Sequence, residues 1–149
     1  MRASWLLALL LAIAAPAAAQ VPDTLSSADR AAIVARVLQA RRAELHDRVE
    51  VDTASLTRVL GTPPGRVPAL APLPPAPRDA DGRWAITEVE LQPDGDVLVR
   101  ADRLESGGSA RRETYRLRRT CAAGGACGWW LVDIRLHDFE SNDVVPPKD

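Results

Sequence analysis

Cysteine and histidine are scarce in this chain, and their scarcity excludes several kinds of site. The 149 residues contain two cysteines and two histidines. Cys121 and Cys127 have no third cysteine near them, and His137 lies about 30 Å along a strand from Cys127, so the usual tetrahedral metal site is excluded. A Gly-x-Ser-x-Gly nucleophile elbow is also missing. We therefore expect no catalytic motif, no cofactor and no metal.

The chain also lacks a large excess of either positive or negative charge. The formal net charge is −1, and among 19 basic residues only Lys148 is a lysine. No global field would draw the chain to nucleic acid or to an anionic membrane surface. Partner choice must therefore depend on local features.

The N-terminus has the pattern of a signal peptide. Arg2 precedes an apolar run over residues 5–15, and alanines fill positions 17–19. This pattern predicts cleavage before Gln20, which gives a mature single domain over residues 20–149. No later stretch approaches the roughly 20 apolar residues of a transmembrane helix. We expect an exported, soluble protein, periplasmic or secreted, with no membrane anchor.

Two helices are predicted before a proline-rich segment. Ser26 followed by Asp29 forms a capping-box pattern, and apolar residues recur at helical spacing as far as about Leu45. A shorter helix is expected over residues 53–60, with Gly61 as its stop signal. Prolines then dominate residues 62–77, which predicts an extended connector.

Four strands follow, over residues 84–91, 96–104, 110–120 and 127–137. Their short connections predict an antiparallel meander packed on the first helix, and the tail 139–149 is expected to be flexible. Alternation assigns one face of the fourth strand to the core, and Tyr115 and Leu117 share the facing side of the third. The predicted inward residues of the fourth strand are Trp130, Val132, Ile134 and Leu136.

The two cysteines flank the last predicted turn, whose sequence is Ala-Ala-Gly-Gly-Ala. Facing residues of an antiparallel pair lie within disulfide distance, and an exported chain meets an oxidising compartment. We therefore expect a bond between Cys121 and Cys127, which would stabilise the hairpin by about 2 kcal/mol.

An arginine stripe is expected on the third strand, formed by Arg112, Arg116 and Arg118. Two interpretations are open: cross-strand ion pairing, or a contact site for an anionic partner. Trp129 is expected to be an exposed aromatic beside this stripe and a candidate contact. The carboxylates that are available for cross-strand pairing are Glu88, Glu90, Asp102 and Asp133.

Acid/base chemistry has few candidates in this sequence. They are Tyr115, Asp133 and His137, and Asp133 and His137 are expected about 13 Å apart on one strand face. His46 lies at the end of the first helix, where it suits the negative helix terminus.

The closing hairpin resembles that of NTF2-like domains, including exported bacterial domains of unknown function. The resemblance rests on Tyr-Arg-Leu-Arg-Arg from Tyr115, a turn, and Gly-Trp-Trp-Leu-Val-Asp-Ile from Gly128. It implies an α+β fold with a helix packed on a curved sheet, and a cystatin-like helix-plus-sheet is the nearest alternative. No catalytic motif of the NTF2-like enzymes is matched.

Taken together, these patterns favour a non-catalytic exported domain that binds a small ligand or an envelope protein. Two alternatives stay open: an NTF2-like enzyme using acid/base chemistry in a pocket, and a cystatin-like inhibitor that uses the proline-rich segment or a hairpin loop. The sequence does not name a partner or an oligomeric state.

Overall fold

The structure, a computed structural model, is an α+β fold with a five-stranded curled sheet. It describes residues 24–70, 73 and 78–140, with side chains except those of 43–48 and 138–140. The predicted signal peptide, six residues of the proline-rich segment and residues 141–149 lie outside this range. The elements are α1 Ser27–Arg48, β1 Val49–Val51, α2 Thr53–Leu60, a 3-10 turn Pro64–Arg66, β2 Gly82–Leu91, β3 Val97–Glu105, β4 Ser109–Cys121 and β5 Cys127–Glu140.

The start of α1 is fixed by the predicted capping box. The Ser26 hydroxyl accepts a hydrogen bond from the Asp29 amide at 3.1 Å, and the Asp29 carboxylate accepts from the Ser26 amide at 3.3 Å. Both bonds satisfy amides that have no partner inside the helix. The helix continues past its expected end at Leu45 to Arg48.

The second helix also begins and ends where the sequence predicts. The Asp52 side chain accepts from the Ala54 amide, and Gly61 closes the helix in the left-handed conformation at φ 71°. A residue without a Cβ adopts this conformation at no steric cost, which explains the glycine.

The sheet has one strand more than the predicted four, in the order β1-β2-β3-β4-β5. Strands β2 to β5 form the expected antiparallel meander. The missed strand, β1, pairs with β2 in parallel, with Val49 opposite Gly82. Its three residues lie between two helices and are too few to show alternation, so sequence periodicity could not find it.

The core lies between α1, α2 and the concave face of the sheet. Helix α1 contributes Ile33, Val34 and Val37, all fully buried. Tyr115 and Leu117 of β4 are fully buried opposite them, as predicted. The other fully buried sheet residues of this core are Trp84, Ile86, Val97, Val99 and Ala101.

The last hairpin is closed by the predicted disulfide. Cys121 and Cys127 are directly paired in the ladder between β4 and β5 and are bonded to each other. The bond therefore links the first residue of β5 to the last residue of β4, at an exposed hairpin end.

Candidate functional site

Helix α1 crosses the concave face obliquely and covers only the first part of β5. Near the helix start, the Trp129 indole of β5 donates to the Asp29 carboxylate at 3.0 Å. Further along, Arg41 reaches Glu113 on the neighbouring strand β4. The helix then leads directly into β1, which forms the opposite edge of the sheet. The second part of β5 is therefore left exposed by the side chains described for the helix.

That uncovered part carries apolar side chains, which we call the β5 patch: Val132, Ile134 and Leu136. Their exposed fractions are 49%, 39% and 49%. The strand is also an edge of the sheet, because β4 is its only neighbour among the described strands. Edge strands present unpaired backbone amides and carbonyls, so the patch combines apolar surface with a free hydrogen-bonding edge.

The prediction that Trp130, Val132, Ile134 and Leu136 are buried is wrong, because all four are exposed. A β-bulge explains the error for the first two. The ladder pairs Leu117 with Leu131 and Arg116 with Asp133, which leaves Val132 as an extra residue. A bulge of this kind shifts the alternation by one position. Beyond it, Ile134 faces Tyr115 on the concave side as predicted, but the described residues leave 39% of it exposed.

Trp129 was predicted to be exposed and Trp130 to face the core, and the structure shows the reverse. Trp129 is buried at 4% and belongs to the core, so it cannot be the exposed contact expected beside the arginine stripe. Trp130 pairs with Arg118 and is 54% exposed. The Arg36 guanidinium of α1 lies 5.0 Å from the centre of the Trp130 ring, a cation–π contact.

The arginine stripe lies on the convex face and is engaged in ion pairs. Arg112 binds Asp102 through two hydrogen bonds, at 2.9 and 3.1 Å. Arg116 and Arg118 both bind Asp96. Cross-strand pairing is thus present for all three arginines.

The sequence did not indicate the carboxylate at the centre of this cluster. Asp96 lies in the turn between β2 and β3, its side chain is 3% exposed, and Asp94 of the same turn also binds Arg116. The hydrogen bond from Arg118, together with that from Arg116, lowers the pKa of Asp96 to about 2. The feature of the sequence that could have indicated Asp96 is the Asp-Gly-Asp turn, together with the arginines of β4.

The acid/base candidates are not brought together. Tyr115 lies on the concave side, whereas Asp133 and His137 pair with Arg116 and Arg112 and so share the convex side. Asp133 accepts a hydrogen bond from Arg135 at 3.0 Å. The side chain of His46 lies outside the described part of α1.

Tyr115 instead belongs to a buried polar cluster centred on Glu113. Glu113 is fully buried and accepts from the Tyr115 hydroxyl, from the Trp84 indole at 2.9 Å and from Arg41 at 2.6 Å. Burial, followed by the hydrogen bond to Glu113, raises the pKa of Tyr115. A carboxylate that accepts from three donors can hold α1 against the sheet. The feature of the sequence that could have indicated this cluster is a glutamate at an inward position of β4.

In the described part of the chain, no group of three or more His, Cys, Asp or Glu side chains is arranged to hold a metal ion. No described helix is long and apolar enough to cross a membrane.

Comparisons with models of protein families, with curated proteins and with solved structures find no match. The geometry of the β5 patch and of the polar clusters therefore carries the functional argument alone.

Proposed function

We propose that this chain is an exported, non-catalytic domain that binds another polypeptide along β5. The observation that carries the proposal is the β5 patch, where three adjacent apolar side chains lie on an uncovered edge strand. A polypeptide added to this edge would satisfy the free backbone groups and cover the patch. A disulfide-bonded hairpin is compatible with a site of action in the envelope or outside the cell.

The free energy available from covering the β5 patch supports binding at this surface. Each patch side chain already has about half its surface buried, and covering the rest would contribute about 1 kcal/mol per side chain. Backbone hydrogen bonds along the edge add to this. By contrast, the arginine stripe is less suited to an anionic partner, because Asp96 and Asp102 already neutralise it.

The acid/base alternative has less support in the geometry. The hydroxyl of Tyr115 and the carboxylate of Glu113 are within hydrogen-bond reach, but both residues are fully buried. A catalytic group must reach its substrate. Asp133 and His137 are exposed on the other side of the sheet.

Photo-cross-linking in cells that naturally make the protein tests the proposal. A photoreactive amino acid at Val132 is expected to give covalent adducts with a polypeptide, whereas one at Ala123, in the exposed hairpin turn, gives none. Adducts from Ala123 alone would favour the inhibitor-like alternative and contradict binding at β5. No adduct from either position would also contradict it.

A pair of matched substitutions provides the control. Ile134→Ser in the Val132 photoprobe chain should abolish the adduct. Leu104→Ser should leave it unchanged, because Leu104 is a strand residue of similar exposure, 37%, on β3. Equal losses in both variants would mean that the patch is not specific.

A further inference from the structure

We propose that the polypeptide bound by β5 is a second copy of this chain, joined antiparallel about a two-fold axis at Ile134. The inference rests on the proposed function of the β5 patch and names its partner. It would join two curled sheets into one continuous ten-stranded sheet.

The first argument is that the open edge is limited to one place. Of the two edges of the described sheet, β1 is only three residues long, and its Val49 is buried. On β5, Arg36 of α1 lies over Trp130, and the bulge at Val132 follows. The accessible edge therefore begins at Val132, and the residues described as exposed on it run through His137.

The second argument is that this edge is self-complementary. Residues 132–136 read Val-Asp-Ile-Arg-Leu, with apolar residues at both ends and in the middle. When Ile134 lies opposite Ile134 of a second copy, Val132 comes opposite Leu136 in both halves of the interface. A two-fold interface requires a patch that matches itself in this way.

The third argument is charge. In the same register Asp133 of each copy lies opposite Arg135 of the other. Directly opposite charges stabilise a strand pair, and like charges destabilise it. Shifting the register to place Arg135 on the axis would put two arginines opposite each other. Charge therefore selects the register centred on Ile134.

The side chains needed for these pairs are available on the correct faces. Ile134 pairs with Tyr115 on the concave side, whereas Asp133 pairs with Arg116 on the convex side. Within one chain, Arg135 Nε lies 3.0 Å from Asp133 Oδ2, and these side chains are 70% and 45% exposed. Exposed ion pairs are weak, so the two residues can exchange partners between copies at little cost.

A charge-exchange experiment tests the inference on the purified mature protein. Sedimentation equilibrium should show a dimer for the wild type. D133R and R135D should each dimerise at least about tenfold more weakly, because like charges then oppose each other twice. An equimolar mixture of the two variants should recover the dimer, since only the mixed pair restores both opposite-charge contacts.

The matched controls are D79R and R78D, which make the same charge changes on exposed residues outside the sheet. They should dimerise as the wild type does, and circular dichroism of all variants should confirm folding. Two results overturn the inference: a wild type that stays monomeric at about 100 μM, well above the dissociation constant of a micromolar interface, or single variants that dimerise as tightly as the wild type.

The outcome is separable from that of the proposed function. A monomeric wild type together with Val132 adducts of a different polypeptide would reject the second copy and retain β5 as the binding edge. A dimer that recovers only in the mixture, with adducts of twice the chain mass, supports both.

Discussion

At the scale of single residues, Glu113 is a buried carboxylate at the centre of a polar cluster. It is fully buried, and Arg41, Trp84 and Tyr115 all donate to it. The cluster connects α1 to β2 and β4 through one carboxylate. Sequence alternation placed Tyr115 inward correctly, and Glu113, two positions earlier, lies on the same strand face. The sequence did not show which partner the Glu113 carboxylate has, because the distant Arg41 is brought close only by folding.

Replacing Glu113 with alanine should therefore be severely destabilising. The change removes the shared acceptor of three buried donors, and breaking a buried ion pair on one side costs about 3–5 kcal/mol. The measurement is the free energy of unfolding in urea at neutral pH. The control is Glu88→Ala, which removes a half-exposed partner of Arg100 and should cost no more than about 1 kcal/mol. Similar losses for the two variants would contradict a structural role for Glu113.

At the scale of elements, the arginine stripe of β4 shows how a turn and a strand stabilise each other. Asp96, in the turn just before β3, binds both Arg116 and Arg118, which lie two positions apart on β4. The sequence predicted the stripe, and cross-strand ion pairing was one of the two interpretations that it left open. It did not identify Asp96, because the turn between β2 and β3 is brought against the far end of β4 only by the register of the sheet.

This cluster predicts a loss of stability in acid. The pKa of Asp96 is lowered from 3.8 to about 2, so the folded state holds this carboxylate ionised when the unfolded state has begun to protonate. Its stabilising contribution, about 2 kcal/mol, is complete above about pH 4 and is lost as the pH falls towards 2.

Urea unfolding at a series of pH values between 2 and 7 would measure the effect of Asp96 as the difference between the wild type and Asp96→Asn. The variant should be less stable near neutrality, and the difference should shrink towards about pH 2. Asp94→Asn is the control, since the Asp94 side chain is 54% exposed and binds Arg116 and the Asp96 amide, and an asparagine oxygen can still accept from that amide. A pH-independent difference for Asp96→Asn would refute the assignment.

At the scale of the whole molecule, the described fold combines a core packed between the helices and the sheet with an exposed edge strand, β5. The diagonal path of α1 covers Trp129 at one end of β5 and leaves Ile134 and Leu136 exposed towards the other. The association that we propose through that edge, and the export that the sequence predicts, both concern the chain without residues 1–19.

Export itself is tested by the mass of the mature protein. Cleavage after the alanines at 17–19 should give a chain that begins at Gln20. Intact-mass analysis of the protein from the extracellular or periplasmic fraction measures this directly, and the disulfide should make it two hydrogens lighter than the reduced form. Recovery of the chain with Met1 in the cytosolic fraction would reject the signal peptide.

The sequence by itself determined the local features of this protein. The capping box at Ser26, the stop at Gly61, the meander and the Cys121–Cys127 bond all follow from contacts between residues that are close along the chain or paired across a short turn. Tertiary structure decided the rest. The parallel strand β1, the Glu113 cluster and the exposure of the β5 patch depend on where α1 crosses the sheet and on one bulge at Val132, and neither is encoded in local periodicity. An apolar strand face is buried only if another element covers it, and the described side chains of the helix leave 39% of Ile134 exposed.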